Sequence, residues 1–400
     1  LPLGKSFARD KLITAYQISS IWSIQGKYVL IIAYQLKDNF KIMKFILFAG
    51  GQGTKLWPLS RESKPKQFQP VVGDKTLFRQ NVEPLLKEYG AKDIFVSTKR
   101  KYVKYVIEDA PEIPLENIII EPDMAKNTGP ATGFAVVWVA MKYPDDPFMI
   151  VQADCLRTPA AEFIKMTRVA DALVRKEKKL ITGGQKALYP DMGIDYLTLG
   201  DQVESREGMD IFKIKEFVQR LSSYEETEKL ISNFRIATHS NHYCWYPELL
   251  LSAYKKYKPE WHAGLMQIKK ILEEKKSPEE INKIYDSFEA GPVEDVTRNI
   301  FGESYIIINP FQWVDMGTWG VIYEYLASPE QVYTDGNVLT IDSRNSFIKG
   351  NKDRLVAAIG VDNLLVVDTD DALFICPKSR AQEVKKVIDK LKEKGKQKYL

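Results

Sequence analysis

The residues best suited to chemistry lie in one short stretch. An apolar run, Phe45-Ile46-Leu47-Phe48-Ala49, passes directly into Gly50-Gly51-Gln52-Gly53-Thr54. Glycines at that place let backbone N–H groups approach phosphate oxygens and adopt positive φ, forming an anion-binding hollow that no side chain obstructs. Lys55, Arg61, Lys64 and Lys66 follow closely and bring compensating positive charge. A lone glycine pair would be read as an ordinary turn with solvated lysines. Apolar strand, glycines and basic cluster together point to a polyphosphate.

Spacing excludes two common ways of holding one. A P-loop needs Gly-Lys-Ser/Thr, whereas Gly53 is followed by Thr54-Lys55-Leu56. A dinucleotide fingerprint opening at Gly51 needs its third glycine at position 56, which is Leu56. A second candidate for chemistry is Asp154, just past the apolar run Phe148-Met149-Ile150-Val151-Gln152. That is the carboxyl edge of a strand, where open α/β sheets bind ligands.

The surrounding elements must hold these groups in place. From Met43 onward short apolar runs alternate with longer amphipathic stretches, the pattern of a parallel sheet flanked by helices. Residues 44–48, 93–98, 117–120 and 148–152 read as strands, and 77–89, 101–109 and 128–141 as helices, with Asn127 or Thr128 as N-cap. After about Gly302 the texture changes to closely spaced strands at 305–308, 338–341, 355–359, 364–367 and 372–376, then a lysine-rich amphipathic helix at 381–394. The expected organisation is an N-terminal extension over 1–42 dispensable for the working fold, a catalytic domain over 43–330 and a small β-rich domain over 331–400.

Composition narrows the classes. A chain of 400 residues that is 44% hydrophobic and 28% charged is expected to fold as a globular protein of two units. A formal net charge of +4, with lysines and arginines dispersed among acids, implies no nucleic-acid partner. Cys155, Cys244 and Cys376 are too few and too far apart for a disulfide framework or a C-x-x-C motif, so a reducing cytoplasm is expected. The apolar run at 28–34 is far short of the roughly 20 residues a membrane helix needs, and no membrane partner is expected.

The wording of the glycine stretch is specific. Gly50-Gly51-Gln52-Gly53-Thr54-Lys55-Leu56-Trp57-Pro58-Leu59-Ser60-Arg61, with Pro65-Lys66-Gln67-Phe68 close behind, resembles the signature of bacterial mannose-1-phosphate guanylyltransferases, a branch of the sugar nucleotidyltransferases. The resemblance runs from Met43 nearly to the C-terminus. It implies an α/β fold: a Rossmann-like nucleotidyltransferase core with a mixed, mainly parallel sheet, plus a small C-terminal β-helix-like domain. It also implies transfer from GTP to mannose 1-phosphate, giving GDP-mannose and pyrophosphate; the β-rich tail, if exposed, allows a homodimer.

Site residues follow from the resemblance position by position. Ala49, Gly50, Gly51, Gly53 and Thr54 would wrap the nucleotide, Glu121, Asn127 and Thr128 would line the base pocket, and Lys66 would neutralise the reacting phosphates. Lys55 stands where the family has arginine; it keeps the charge and loses the planar fork. Asp315, in Trp313-Val314-Asp315-Met316-Gly317, matches the family's second metal-binding motif, so Asp154 and Asp315 are expected to hold Mg2+. Such a site needs few protein oxygens and keeps water and phosphate ligands. The nucleophile, a phosphate monoester, is already anionic near neutral pH, so no histidine or cysteine is required, which suits a chain with three histidines.

The sugar side departs from the family. Gly193-Ile194-Asp195-Tyr196 stands in place of Gly-Tyr-Gly-Tyr, placing Asp195 beside the sugar while Gly193 and Tyr196 match. Gln219 and Arg220 replace the Glu and Lys of Phe-Val-Glu-Lys-Pro, with Arg220 able to hold phosphate. Thr238-His239-Ser240-Asn241 replaces Trp-Asn-Ser-Gly, so His239 and Ser240 become the sugar contacts. His239 and His242 lack a companion for a metal site. These substitutions leave two alternatives open: the same chemistry on another sugar 1-phosphate, or a non-catalytic homologue that binds a nucleotide sugar.

Overall fold

The computed structural model describes residues 42–400, apart from Gln52, Phe234, Lys276 and Pro329. The expectation for the extension over 1–42 therefore lies outside the described residues, save for Ile42.

Strand β1 (Lys44–Phe48) is buried nearly throughout, because helices cover both faces of the sheet it belongs to. Its neighbours are β2 (Ile94–Lys99), β3 (Ile118–Glu121) and β4 (Phe148–Gln152), all parallel, in the order β4-β1-β2-β3. Helices α1 (Leu77–Tyr89), α2 (Val103–Asp109) and α3 (Thr128–Lys142) supply the crossovers. The alternation along β1 sorts its side chains between two cores. Phe45 and Leu47 pack with Phe78, Val82 and Leu85 of α1, while Ile46 packs with Phe134 and Val136 of α3.

Next come β5 (Cys155–Thr158), α4 (Ala160–Glu177), β6 (Ile181–Lys186), the long hairpin β7 (Tyr196–Arg206) and β8 (Met209–Val218), β9 (Ile236–His239), β10 (Cys244–Trp245) and β11 (Tyr305–Ile308). Among the described residues, ten strands make one sheet in the order β11-β8-β7-β9-β6-β10-β4-β1-β2-β3. It is parallel around the glycine loop and mostly antiparallel beyond β4. The strand at 305–308, grouped above with the tail, belongs to this sheet: it pairs with β6 and β8, and Ile306 and Ile307 are wholly buried. Proximity in sequence to the tail strands misled, because four consecutive apolar residues read alike in either place.

A short two-stranded pair lies apart from that sheet. β12 (Gln312–Asp315) runs antiparallel to β5, with Asp315 opposite Cys155. Helix α5 (Trp319–Leu326) follows, capped by the Thr318 side chain.

The C-terminal strands are β13 (Val332–Asp335), β14 (Val338–Ile341), β15 (Ser346–Lys349), β16 (Val356–Ile359), β17 (Leu364–Asp368) and β18 (Leu373–Pro377). Parallel pairs β13–β15, β15–β17 and β14–β16 stack as successive turns of a β-helix. The expected helix at 381–394 begins as a 3-10 segment, Lys378–Glu383, before α6 (Val384–Glu393). A third apolar core joins this region to the signature loop: Leu56, Trp57 and Trp319 pack with Phe347, Phe374, Val384 and Ile388. Each fully buried side chain of this kind contributes about 1.5–3 kcal/mol. None of the described helices is long and apolar enough to cross a membrane.

Candidate active site

The glycine loop leaves β1 at its carboxyl edge. Gln67, in the 3-10 turn Lys66–Phe68, anchors it: its Nε2 donates to the carbonyls of Ala49 at 2.7 Å and Gly51 at 2.9 Å. Those two bonds turn the loop carbonyls toward the protein, leaving amides free for an anion. Gly53 has φ +54°, and a Cβ on it would lie 2.7 Å from Lys66 Cγ, so glycine is required there for both reasons. Gly51 faces open space, and Thr54 and exposed Lys55 form the next turn.

Glu121 was expected in the base pocket. Its carboxylate lies directly under Gly50, where an added Cβ would meet Oε1 at 2.6 Å. Ser97 Oγ donates to Oε1 at 3.0 Å and the Lys99 ammonium stands 3.5 Å from Oε2. Asn127, at φ 68°, caps α3 by accepting from the Thr128 amide at 2.8 Å, and both residues are exposed at the rim.

Lys66 and the two aspartates meet. Lys66 Nζ is 3.0 Å from Asp154 Oδ2 and 3.0 Å from Asp315 Oδ1. Register brings them together: Asp154 ends the turn between β4 and β5, and the β5–β12 pairing sets Asp315 opposite Cys155. The carboxylates retain 35% and 53% side-chain exposure, while the Lys66 side chain retains 9%. Burial opposes the Lys66 charge, yet Asp154 and Asp315 outweigh it and hold the ammonium above its ordinary pKa. Burial also opposes ionisation of Asp154; Lys66 overcomes this and keeps that carboxyl below the usual range. Asp315 is raised, because the surrounding protein and the Asp154 charge outweigh Lys66.

Arg61, counted above among the phosphate-compensating charges, is turned away. It donates through Nε to the Pro58 carbonyl at 2.8 Å and pairs through Nη2 with Asp371 at 2.7 Å. The guanidinium fork is thus occupied by acceptors of the protein itself.

On the sugar side Asp195 is buried and already committed. Its Oδ1 accepts from the Arg220 amide at 2.8 Å and Arg220 Nε at 3.2 Å, while Arg220 Nη1 reaches the Gly193 carbonyl at 3.1 Å. Gln219 is exposed beside them. Tyr196 is wholly buried and its hydroxyl donates to the Asp191 carbonyl at 2.7 Å, bracing the loop from behind. His239 is 2% exposed; Nε2 lies 3.0 Å from Thr182 Oγ1, and Nδ1 has no partner. Burial lowers its pKa to about 4. Ser240 is fully buried, accepting from Asn309 Nδ2 at 3.1 Å and lying 2.8 Å from His242 Nδ1.

Two contributors carried no assigned role in the sequence. Besides Gln67, Arg157 is a buried guanidinium that donates to His242 Nε2 at 2.8 Å and to the Gln152 carbonyl at 3.0 Å. His242 thus serves an internal network, and Gln152 in turn donates to the Asn241 carbonyl at 2.6 Å, tying the loop at 239–241 to the turn bearing Asp154. Gln67 lay within the quoted signature; nothing local to Arg157 signals a partner 85 residues away. Cys155 is buried, and burial raises its thiol well above the ordinary value, which leaves it unreactive. Among the described residues no group of three or more His, Cys, Asp or Glu side chains could enclose a metal.

Comparison with known proteins agrees with this architecture. The mannose-1-phosphate guanylyltransferase 2 of Escherichia coli O157:H7 is 28% identical over 371 residues, covering 89% of this chain and 74% of that protein. The alginate biosynthesis protein AlgA of Pseudomonas putida is 26% identical, covering 88% and 72%. In three dimensions a Thermus thermophilus protein named mannose-1-phosphate geranyltransferase superposes with a TM-score of 0.77 at 20% identity, covering 88% of this chain and all of that one. A family model described as MannoseP isomerase/GMP-like beta-helix domain matches residues 336–391. The model described as Nucleotidyl transferase matches residues 44–331, and the chain belongs to that family.

Proposed function

We propose that this protein transfers a guanylyl group from GTP to mannose 1-phosphate, releasing pyrophosphate and forming GDP-mannose. The observation that carries this reading is the meeting of Lys66, Asp154 and Asp315 beside a glycine loop whose carbonyls Gln67 turns inward. The names of the curated relatives supply the substrates.

In this reading the loop amides of Gly50, Gly51, Gly53 and Thr54 and the Lys55 ammonium hold the triphosphate. Lys66 supplies positive charge at the phosphorus under attack, where charge builds toward pyrophosphate. Arg220, at the mouth of the sugar side, orients the incoming phosphate monoester. Asp154 and Asp315 fit a magnesium ion: both present an oxygen to a single cationic centre, Lys66 Nζ, so one cation can reach both carboxylates. When bound, Mg2+ would supply charge neutralisation at the phosphate oxygens. No general base is needed.

A second reading, the same transfer to another sugar 1-phosphate, is favoured by Asp195, whose carboxylate ties up Arg220 beside the expected sugar. Both readings are tested by measuring pyrophosphate release with Mg2+ across a panel of triphosphates and sugar 1-phosphates. Highest kcat/KM for GTP with mannose 1-phosphate is expected. Preference for another sugar selects the second reading, and absence of turnover with every pair overturns the enzyme assignment.

A further inference from the structure

The C-terminal segment reaches back to the signature loop and closes on two of its residues. Trp57 Nε1 donates to the Tyr399 carbonyl at 2.7 Å, and Arg61 Nη1 donates to the same oxygen. Arg61 Nη2 pairs with Asp371 at 2.7 Å, and the Phe374 ring packs edge-on against Trp57 at 5.8 Å. Beside them Lys392 of α6 pairs with Glu62 at 3.1 Å.

The far side of the same loop leads to the reacting groups. Ser60 Oγ donates to the Gly53 carbonyl at 2.5 Å, and Gly53 lies so near Lys66 that an added Cβ would stand 2.7 Å from the Lys66 Cγ. The Trp57 carbonyl accepts from Trp319 Nε1 at 3.0 Å, and Trp319 opens α5 just past Asp315. A glycine-rich loop has large conformational freedom to lose on binding, and the protein recovers affinity by holding such a loop in place beforehand. Arg61 is suited to hold it, since its side chain is 12% exposed and its planar fork meets three fixed acceptors, the Pro58 and Tyr399 carbonyls and the Asp371 carboxylate.

We propose that Arg61 is a positioning residue, through which the C-terminal segment bearing Asp371 and Tyr399 sets the triphosphate loop before the nucleotide arrives. The proposal rests on the nucleotidyl-transfer reading of the site and assigns Arg61 a role at a distance from the phosphates. A residue that bound phosphate directly would act whether or not the C-terminal segment was present. A positioning residue loses much of its effect once that segment is removed.

The experiment is a double-mutant cycle on the full chain with Arg61→Ala and deletion of residues 397–400, reading KM for GTP, KM for the sugar 1-phosphate and kcat separately. Each change alone is expected to raise KM for GTP about tenfold and to leave KM for the sugar phosphate within about twofold. Combined, they are expected to give clearly less than the product of the two, because both remove the Arg61–Tyr399 contact. Arg61→Lys, which keeps the charge and loses the fork, is expected to behave like Arg61→Ala. Exchanging the pair, Arg61→Asp with Asp371→Arg, is expected to recover part of the loss seen with Arg61→Asp alone.

Effects that multiply in the cycle, or full rescue by Arg61→Lys, overturn the proposal in favour of direct phosphate binding. Unchanged KM for GTP in folded Arg61→Ala also overturns it. Should Arg61→Ala not fold, Asp371→Asn, which leaves Arg61 in place, gives the same reading at a smaller expected rise of about threefold. Wild-type protein with no turnover refutes the proposed function instead; the cycle is then read as the Kd for GTP by calorimetry, with the same non-additivity expected.

Discussion

Gly53 and Lys66 are in contact such that a single added carbon on Gly53 would collide with the Lys66 stem at 2.7 Å. The glycine sits at φ +54°, so an alanine there is strained by backbone and neighbour alike. Gly53→Ala is expected to lower kcat at least about tenfold while costing only about 1–2 kcal/mol of stability. Gly51→Ala meets nothing within 4 Å and is expected to fold like wild type. Its effect should fall on KM for the triphosphate, because its Cβ enters the space an anion would use. Steady-state kinetics beside thermal melts check both; equal behaviour of the two variants would count against the loop geometry.

Lys66→Ala removes the cation that two carboxylates share. Turnover is expected to fall about a hundredfold to a thousandfold, the range for deleting one preorganised charge from a transition state. Its circular dichroism spectrum should match wild type. Near-normal rates would show that the reacting phosphate sits elsewhere.

Asp195→Asn retains the shape of the side chain and removes the charge that engages Arg220. Freed of its counter-ion, Arg220 is expected to bind the sugar phosphate more tightly, lowering that KM about threefold, while Arg220→Ala raises it about tenfold or more. The KM for triphosphate should stay unchanged in both. Identical shifts in both substrates would refute a role for this pair on the sugar side.

Acid is expected to destabilise the fold through His239. Burial holds its pKa at about 4, below the ordinary 6.5, so the neutral ring is favoured in the folded state. Above pH 6.5 neither state binds this proton. Below it the unfolded chain takes the proton first, so stability falls from pH 6.5 down to about pH 4, by about 3 kcal/mol over the window. His242, also held well below its ordinary value by burial, acts in the same direction. Urea denaturation at pH 7 and pH 4.5 should show His239→Gln losing about 2 kcal/mol less than wild type across that interval; equal losses would falsify the assignment.

Much of this molecule was determined locally. The strands at 44–48 and 148–152 and the helix at 77–89 occupy the residues that their apolar runs and periodicity mark, because the spacing of apolar residues along a segment fixes which of its faces can be buried, whatever it packs against. The wording from Gly50 to Phe68 pointed to the family by resemblance, and the family model over residues 44–331 shows it. Tertiary structure alone decided which charges face the site. Arg61 and Lys66 look alike in sequence, yet one is drawn to Asp371 and Tyr399 and the other to Asp154 and Asp315. Their partners lie far away in the chain or arrive through strand register, and no local pattern encodes which carboxylate a folded chain will bring beside a lysine. The same holds for His239 and Ser240: the family resemblance suggested sugar contacts, and the fold buries both, His239 at the end of β9 paired with Gly184 of β6.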